Sequence, residues 1–261
     1  MSRPEEELQR QVSQVLLGTL GDVGFALAGA GAIRAHGITD RPTHDVDLFT
    51  KTPIDEGDFL SAIDRGGQAL EDAGYGLAWL SRTGTFARLR VHAEGGAVLD
   101  VDFAVNWRVD PPVRMSVGPV LSERDAVAGK LSAVYSRGEV RDFLDLDAIR
   151  ASGRYTDSEL LGLGREHDDG FDTGMFAAQL SRVLQVDALE AEEYGISPDA
   201  FTAMQHRTLA WAIQLRDTLP PSQTMADAVR SLLDEREQRL GSPDTNPITR
   251  RPEGPDRGIG I

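Results

Sequence analysis

The segment FALAGAGAIRAHGITDRPTHDVDLF, residues 25–49, carries most of what the sequence predicts about architecture and chemistry. Its apolar start, residues 25–28, is bounded by glycines and predicts a short buried strand. Residues 29–31 form a small-residue turn, after which residues 32–36 begin a helix. In residues 45–49, polar and apolar side chains alternate, as in a strand whose two faces differ. The segment therefore predicts a strand, a glycine turn, a helix and a second strand.

The second strand carries two carboxylates on one face. Asp45 and Asp47 are two positions apart, which places their Cα atoms about 6.5–7 Å from each other on the same side. Two unpaired carboxylates repel, and a shared divalent cation relieves that repulsion. Upstream, Gly29, Ala30 and Gly31 allow backbone amides to approach a phosphate closely. The spacing predicts a triphosphate site beside a metal site; solvated aspartates and a turn that only permits tight packing are the alternatives.

A third carboxylate is expected on a β-hairpin further along the chain. Strand patterns at residues 86–92 and 98–105 flank the turn signal Glu94-Gly95-Gly96. Asp100 and Asp102 share one face of the second strand. Polymerase-type phosphoryl transfer uses a third carboxylate to hold a second metal and to deprotonate the attacking hydroxyl. Asp102 is the predicted residue and Asp100 the fallback, with a merely polar strand face as the alternative.

Three longer helices are predicted from helical periodicity, at residues 5–20, 60–73 and 122–149. Ser122 is the expected N-cap of the last one, which breaks near Gly138. Lys130 lies at the edge of the apolar face of this helix and therefore points inward.

Lys130 is unusual for its residue type as well as its position. The chain has two lysines against 25 arginines, so arginine is used wherever a positive charge suffices. A lysine on an inward face is favoured for its compact ammonium, which suits a phosphate. Snorkelling of the side chain to the surface is the alternative.

Two further carboxylates, Asp142 and Asp145, face inward after the helix break. Carboxylates on a packed face need partners, and Lys130, Arg137 and Arg141 are near in sequence. Arg141, one turn before Asp145, is placed to pair with it. A purely structural ion-pair network is the alternative to a role in the site.

Composition limits the classes of protein and of metal site. With 40% hydrophobic and 26% charged residues, the 261-residue chain can bury a sizeable core. Because there is no cysteine, any metal must be held by oxygen or imidazole ligands, which favours Mg²⁺. The formal charge of −15 argues against a general nucleic-acid binder, and no DNA partner is expected. No signal peptide or membrane span is apparent, which predicts a cytoplasmic protein.

The predicted domains are a catalytic core at residues 1–120 and a helical domain at residues 121–240 that completes the active site. Residues 241–261 contain four prolines, four glycines and mixed charges, and are predicted to be a disordered tail.

These motifs resemble the AbiEii/AbiGii family of type IV toxin nucleotidyltransferases over roughly residues 25–150. The resemblance rests on residues 27–49, on Lys130-Leu131-Ser132-Ala133 and on Arg141-Asp142-Phe143-Leu144-Asp145-Leu146. It implies an α/β (α+β) nucleotidyltransferase fold, in which a mixed β-sheet core is flanked by helices and followed by a helical C-terminal domain. One departure is Ala30, since family members commonly place a hydroxyl residue in this turn.

The resemblance also implies the roles of the site residues. Asp45 and Asp47 would bind Mg²⁺ or Mn²⁺, Lys130 would contact the phosphates of an NTP, and Asp142 or Asp145 would support the site. MenT-like relatives extend tRNA 3′ ends and block translation, so a tRNA acceptor and a cognate antitoxin are the implied partners. A small-molecule acceptor, as in antibiotic-modifying nucleotidyltransferases, and a catalytically silent binding module are the alternatives.

Overall fold

The computed structural model describes residues 3–218, with side chains from residue 5 onward. The predicted tail at 241–261 and the last part of the predicted helical domain, residues 219–240, lie outside the described residues. Among the helices of the described part, none is both long enough and apolar enough to cross a membrane.

Seven strands form one mixed sheet within these residues. They are β1 (Ala26–Leu27), β2 (Asp45–Lys51), β3 (Gly76–Arg82), β4 (Phe86–His92), β5 (Val98–Asn106), β6 (Val113–Met115) and β7 (Gly118–Val120). Their order across the sheet is β3-β4-β5-β2-β1-β7-β6. The pairs β2 with β5 and β1 with β7 are parallel, and the other neighbours are antiparallel. The mixed α/β architecture predicted from the sequence is confirmed.

The α-helices flank the sheet and then continue without further strands to the end of the described part. They are α1 (Arg3–Leu20), α2 (Gly29–Ala35), α3 (Glu56–Asp72), α4 (Glu123–Ser136), α5 (Val140–Ala151), α6 (Asp157–His167), α7 (Thr173–Ser181), α8 (Ala188–Glu192) and α9 (Pro198–Thr218). Helix α4 contacts α2, α5, α6 and α7, and α9 packs on α5 and α7. The helical character predicted for the residues after 121 is confirmed as far as Thr218.

The core lies between the sheet and helices α1 and α3. Phe25, Phe59 and Phe103 are fully buried there, with the Phe25 ring centroid 6.0 Å from that of Phe59 and 6.1 Å from that of Phe103. Helices α1 and α3 approach closely at Gly66, where an added Cβ would lie 3.0 Å from Leu20 Cδ1. Burial of this apolar surface provides the main driving force for folding.

Local signals correctly located the elements around the site, with one error. The hairpin of β4 and β5 is confirmed, as is the Ser122 N-cap, whose hydroxyl accepts a hydrogen bond from Asp125 N at 3.0 Å. The helix break also occurs as predicted, with Gly138 at φ +62°. A glycine turn does separate β1 from α2, with Gly29 at φ +55°. The predicted start of the helix after Gly31 is wrong, because α2 already begins at Gly29 and Ala32 N donates to Ala28 O at 2.9 Å.

Candidate functional site

Strand β2 presents two carboxylates on one face, as its alternating sequence predicts. Asp45 and Asp47 are half-buried, whereas Val46 and Leu48 are buried in the core on the opposite face. Since successive side chains of a strand point to opposite faces, core packing of the two apolar residues fixes the direction of both carboxylates.

The neighbouring strand β5 adds two more carboxylates to this face. In the parallel register, Asp45 is the Cα partner of Asp100, and Asp47 is the Cα partner of Asp102. Neighbouring strands lie about 4.8 Å apart. Four carboxylates are therefore concentrated on two adjacent strands, which requires neutralisation by cations.

Two arginines of β4 neutralise the β5 carboxylates. Arg88 donates from Nε and Nη2 to Asp102 at 2.6 and 2.5 Å, and Arg90 donates in the same way to Asp100 at 2.8 and 2.9 Å. The hydrogen bond from Arg90 lowers the pKa of Asp100. Asp102 lines a cleft together with the two β2 carboxylates, and Asp100 is not among the residues that line this cleft. The geometry thus favours Asp102 over Asp100 as the third carboxylate.

Asp47 differs from the other carboxylates because no protein group neutralises it directly. Among residues 5–218, no donor forms a hydrogen bond or an ion pair with its carboxylate. Burial raises the pKa of Asp47 to about 7, and the negative charges of Asp45 and Asp102 act in the same direction. Lys130 acts against them through its positive charge. An ionised Asp47 is therefore costly unless a further cation is present.

A divalent cation fits this part of the site. The available donors are carboxylate oxygens, which Mg²⁺ and Mn²⁺ prefer, and Asp47 has no competing protein partner. Within the described residues, no three His, Asp or Glu side chains form a complete metal centre by themselves. Asp45 and Asp47 are the residues that would hold the ion, and Asp102 is engaged by Arg88.

The small residues at the start of α2 have different environments. Gly29 adopts φ +55°, and a Cβ there would overlap Asp47 Oδ2 and lie 2.6 Å from Asp47 Cγ. Gly29 and Ala30 each line a cleft at the carboxylates. Gly31 instead faces Leu27, whose Cδ1 would lie 3.0 Å from an added Cβ. Gly29 is therefore required for the position of Asp47, whereas Gly31 allows close packing.

Lys130 takes part in a buried ion-pair cluster. Its Nζ lies 2.8 Å from Asp145 Oδ2, and Arg41 donates from Nε and Nη2 to the same carboxylate, both at 2.7 Å. Asp145 is 0% exposed, and Lys130 and Arg41 are each 7% exposed. Burial alone would raise the pKa of Asp145, but the two cations hold it below its usual range. The predicted inward direction of Lys130 is confirmed.

Asp142, also 0% exposed, pairs with Arg137 and not with the lysine. Arg137 donates from Nε and Nη2 to its two oxygens, both at 2.9 Å, and Glu139 N donates to Asp142 Oδ2 at 3.2 Å. Asp142 thereby holds Arg137 at the site, while Asp145 contacts Lys130 directly.

The predicted pairing of Arg141 with Asp145 is wrong. Arg141 Nη2 lies 2.8 Å from Glu139 Oε2, and its Nη1 lies 3.6 Å from Asp45 Oδ2. The helical spacing was right, but Asp145 points into the protein, where Arg41 and Lys130 already occupy both of its oxygens.

Two adjoining clefts meet at these side chains. The larger cleft, of about 250 Å³, is lined by Gly29, Asp47, Phe49, Asn106, Trp107, Leu121, Asp125, Ala126, Gly129, Lys130, Ser132, Ala133, Ser136, Arg137 and His167. The smaller cleft, of about 90 Å³, is lined by Ala30, Arg41, His44, Asp45, Asp47, Arg88, Asp102, Lys130, Arg137, Arg141 and Tyr194. Asp47, Lys130 and Arg137 line both, so the unpartnered carboxylate lies at their junction.

A buried network supports the wall of the larger cleft. Asp125 accepts hydrogen bonds from Val109 N at 2.8 Å and Asp110 N at 3.0 Å, and its Oδ1 lies 2.9 Å from His167 Nε2. Burial would raise the pKa of Asp125, but these hydrogen bonds lower it to about 2. The hydrogen bond between His167 and Asp125 also raises the pKa of His167. The network fixes the segment that follows Trp107 to the start of α4.

Several residues at the site carried no local signal that would have identified them. Arg41 pairs with a carboxylate 104 positions away, and Tyr194 reaches the smaller cleft from the segment after α8. Arg88 could have been found, because residues 88 and 90 alternate opposite Asp100 and Asp102 in the predicted hairpin.

Comparisons with known proteins identify a matching family and a shared fold. Residues 16–235 match the family model described as the AbiEii nucleotidyl transferase toxin of type IV toxin–antitoxin systems. The fold is similar to JHP933 from Helicobacter pylori (TM-score 0.51, 16% identity, covering 89% of this chain and 99% of the other). It is also similar to MenT4, a nucleotidyltransferase toxin from Mycobacterium tuberculosis H37Rv (TM-score 0.51, 19% identity, 89% of each chain). No curated protein matches the chain.

Proposed function

The chain belongs to the AbiEii family of nucleotidyl transferase toxins, and from this premise we propose that it transfers a nucleoside monophosphate from an NTP to the 3′ end of a tRNA. The reaction would depend on Mg²⁺ or Mn²⁺ and would block translation. A cognate antitoxin and a cytoplasmic location belong to the same proposal.

The observation that carries the proposal is the junction of the two clefts. Asp47 lies there with Lys130, and Asp45 lies beside them in the smaller cleft. Nucleotidyl transfer needs two substrates whose reacting atoms meet beside groups that neutralise negative charge. A donor in the larger cleft and an acceptor in the smaller cleft would meet at this point.

The roles of the side chains follow from their contacts. Asp45 and Asp47 would hold the divalent cation, which neutralises charge on the phosphates and orients them. Lys130, which lines both clefts, would contact the triphosphate. Asp145 and Arg41 fix the lysine ammonium through the buried cluster, and Asp142 orients Arg137 in the same way. Asp102, held in place by Arg88, would accept the proton of the attacking hydroxyl.

A small-molecule acceptor is the second candidate, and the overall charge favours it. With a formal charge of −15, the chain repels polyanions at long range, which is unfavourable for binding RNA. Ala30 in place of a hydroxyl residue would weaken triphosphate binding, which raises the further alternative of a catalytically silent binding module. The presence of the carboxylates and of Lys130 argues against a catalytically silent module.

The decisive experiment incubates the purified protein with each α-³²P-labelled NTP, Mg²⁺ and either total tRNA or an aminoglycoside. We expect label on tRNA with one preferred NTP, and no label with Asp45→Ala or Asp47→Ala. Asp100→Ala is the matched control, since this residue lies on the same face of the sheet but outside the smaller cleft. Label on the aminoglycoside alone would replace the tRNA proposal, and absence of label on either acceptor would support the silent module.

A further inference from the structure

The smaller cleft of this acidic chain is lined by more basic side chains than carboxylates. It contains three carboxylates, Asp45, Asp47 and Asp102. Five basic side chains face them: Arg41, Arg88, Lys130, Arg137 and Arg141. Because a polyanion is repelled by the chain as a whole, an anionic acceptor would need cationic groups that it can contact directly.

Arg88 is the basic residue best placed to bind a ligand in this cleft. Its Nε and Nη2 are fixed by Asp102, and among residues 5–218 no acceptor contacts Nη1. The side chain is 44% exposed. A guanidinium that is held on one edge and free on the other is oriented in advance, so little side-chain entropy is lost when an anion binds. Arg41, in contrast, uses all three nitrogens within the protein.

Arg141 and an aromatic pair complete the rim of the cleft. Arg141 Nη1 lies 3.6 Å from Asp45 Oδ2. The ring centroids of His44 and Tyr194 are 5.4 Å apart, and the Arg41 guanidinium lies 4.8 Å from the Tyr194 centroid. Neither the exposed imidazole of His44 nor the Tyr194 hydroxyl has a hydrogen bond within the described residues. The rim thus offers flat rings and unused polar groups beside the carboxylates.

We propose that the smaller cleft binds the last phosphodiester and the terminal nucleoside of an RNA 3′ end, with Arg88 and Arg141 on the phosphate and His44 and Tyr194 against the nucleoside. The inference rests on the proposed nucleotidyl transfer. Guanidinium groups bind phosphate oxygens, and aromatic rings stack on bases of any sequence. A polycationic aminoglycoside would meet the same arginines with repulsion, so the rim selects an anionic acceptor.

The test measures binding of the full chain to a 5′-fluorescein-labelled tRNA acceptor-stem hairpin by fluorescence anisotropy over a range of KCl concentrations. A second hairpin carries a neutral methylphosphonate in place of its last phosphodiester. Arg88→Ala should weaken binding of the natural hairpin about tenfold and reduce the salt slope by about 0.7. On the methylphosphonate hairpin the same substitution should cost almost nothing, because the contact is already lost.

Arg90→Ala is the matched control. Arg90 pairs with Asp100 as Arg88 pairs with Asp102, on the same strand, but it does not line the smaller cleft. It should leave affinity and salt slope unchanged on both hairpins. Equal losses for the two arginine variants, or an Arg88→Ala loss that persists on the methylphosphonate hairpin, would overturn the proposal.

Tyr194 provides a variant that changes no charge. Tyr194→Ala should weaken hairpin binding about tenfold while NTP binding is retained, whereas Tyr194→Phe should keep most of the affinity. Tyr75→Ala is the control, because Tyr75 is half-buried and lines neither cleft.

Labelling of tRNA by the wild type separates the proposed function from the assignment of the smaller cleft. If the wild type labels tRNA but the Arg88 and Tyr194 variants do not show the expected binding losses, only the assignment of the smaller cleft is refuted. If the wild type neither binds nor labels RNA, the proposed function is refuted as well.

Discussion

Replacing Asp47 with asparagine is expected to stabilise the protein when divalent cations are absent. Burial, together with the charges of Asp45 and Asp102, raises the pKa of Asp47 from 3.8 to about 7. The folded state therefore binds this proton more tightly than the unfolded chain does. Between about pH 4 and about pH 7 the contribution of Asp47 to the free energy of unfolding therefore falls as pH rises, and the asparagine variant avoids this loss.

The magnitude follows from the size of the pKa difference. At 1.36 kcal/mol per pKa unit, a change from 3.8 to about 7 corresponds to about 4 kcal/mol. This value is an upper bound, because the half-buried carboxylate keeps part of its contact with water. We expect Asp47→Asn to increase the free energy of unfolding by about 2 kcal/mol at about pH 8 in EDTA, and to have almost no effect at about pH 4.

Urea denaturation of both proteins across this pH range, with EDTA or with Mg²⁺, is the assay. Asp100→Asn is the control with the opposite sign. Because the Arg90 hydrogen bond lowers the pKa of Asp100, its carboxylate contributes stability that is present above the unfolded pKa and is lost as pH falls through the folded pKa. Its replacement should therefore destabilise the protein at about pH 8. If Asp47→Asn is less stable than the wild type at about pH 8 in EDTA, the electrostatic reasoning is wrong.

Three further substitutions test other parts of the site. Lys130→Arg should lower the rate of nucleotide transfer at least about tenfold, because a planar fork cannot replace a compact ammonium against Asp145; near-normal turnover would remove the lysine from the site. Gly29→Ala should lower the free energy of unfolding in urea by about 2 kcal/mol or more, since φ is +55° and the new Cβ overlaps Asp47; an unchanged midpoint would contradict this packing. Asp145→Asn should lower the free energy of unfolding by about 3–5 kcal/mol in the same assay, because Arg41 and Lys130 stay buried without a counter-charge. Asp147→Asn is its control, since the partner Arg207 is exposed, and an equally small loss for both variants would argue against the cluster.

The sequence located the elements whose signals are local. Strand β2 was predicted because its alternation is imposed by Val46 and Leu48, which pack into the core. Helix α4 was placed by Ser122, whose hydroxyl caps the helix three residues before Asp125 N. In both cases the residues that determine the structure lie within a few positions of each other, so the pattern and its cause coincide.

What could not be predicted depends on contacts between distant parts of the chain. Arg41 binds Asp145, which lies 104 positions further along the chain, and nothing near Tyr194 indicates that it lines a cleft. Strand β3 was missed because, at the edge of the sheet, its residues are half-buried or exposed, which obscures alternation. The environment of Asp102 likewise depends on a contact across strands, because Arg88 of β4 binds its carboxylate.

The buried cluster of Arg41, Lys130 and Asp145 has a consequence for fragments of the chain. Arg41 precedes β2, whereas Lys130 and Asp145 belong to α4 and α5, so the charges come from both sides of residue 121. A piece that ends before α4 would retain the arginine without its anion, and the complementary piece would retain Asp145 with only one of its cations. Neither half would fold well alone, and mixing the two should restore structure by complementation, with a single cooperative transition on unfolding.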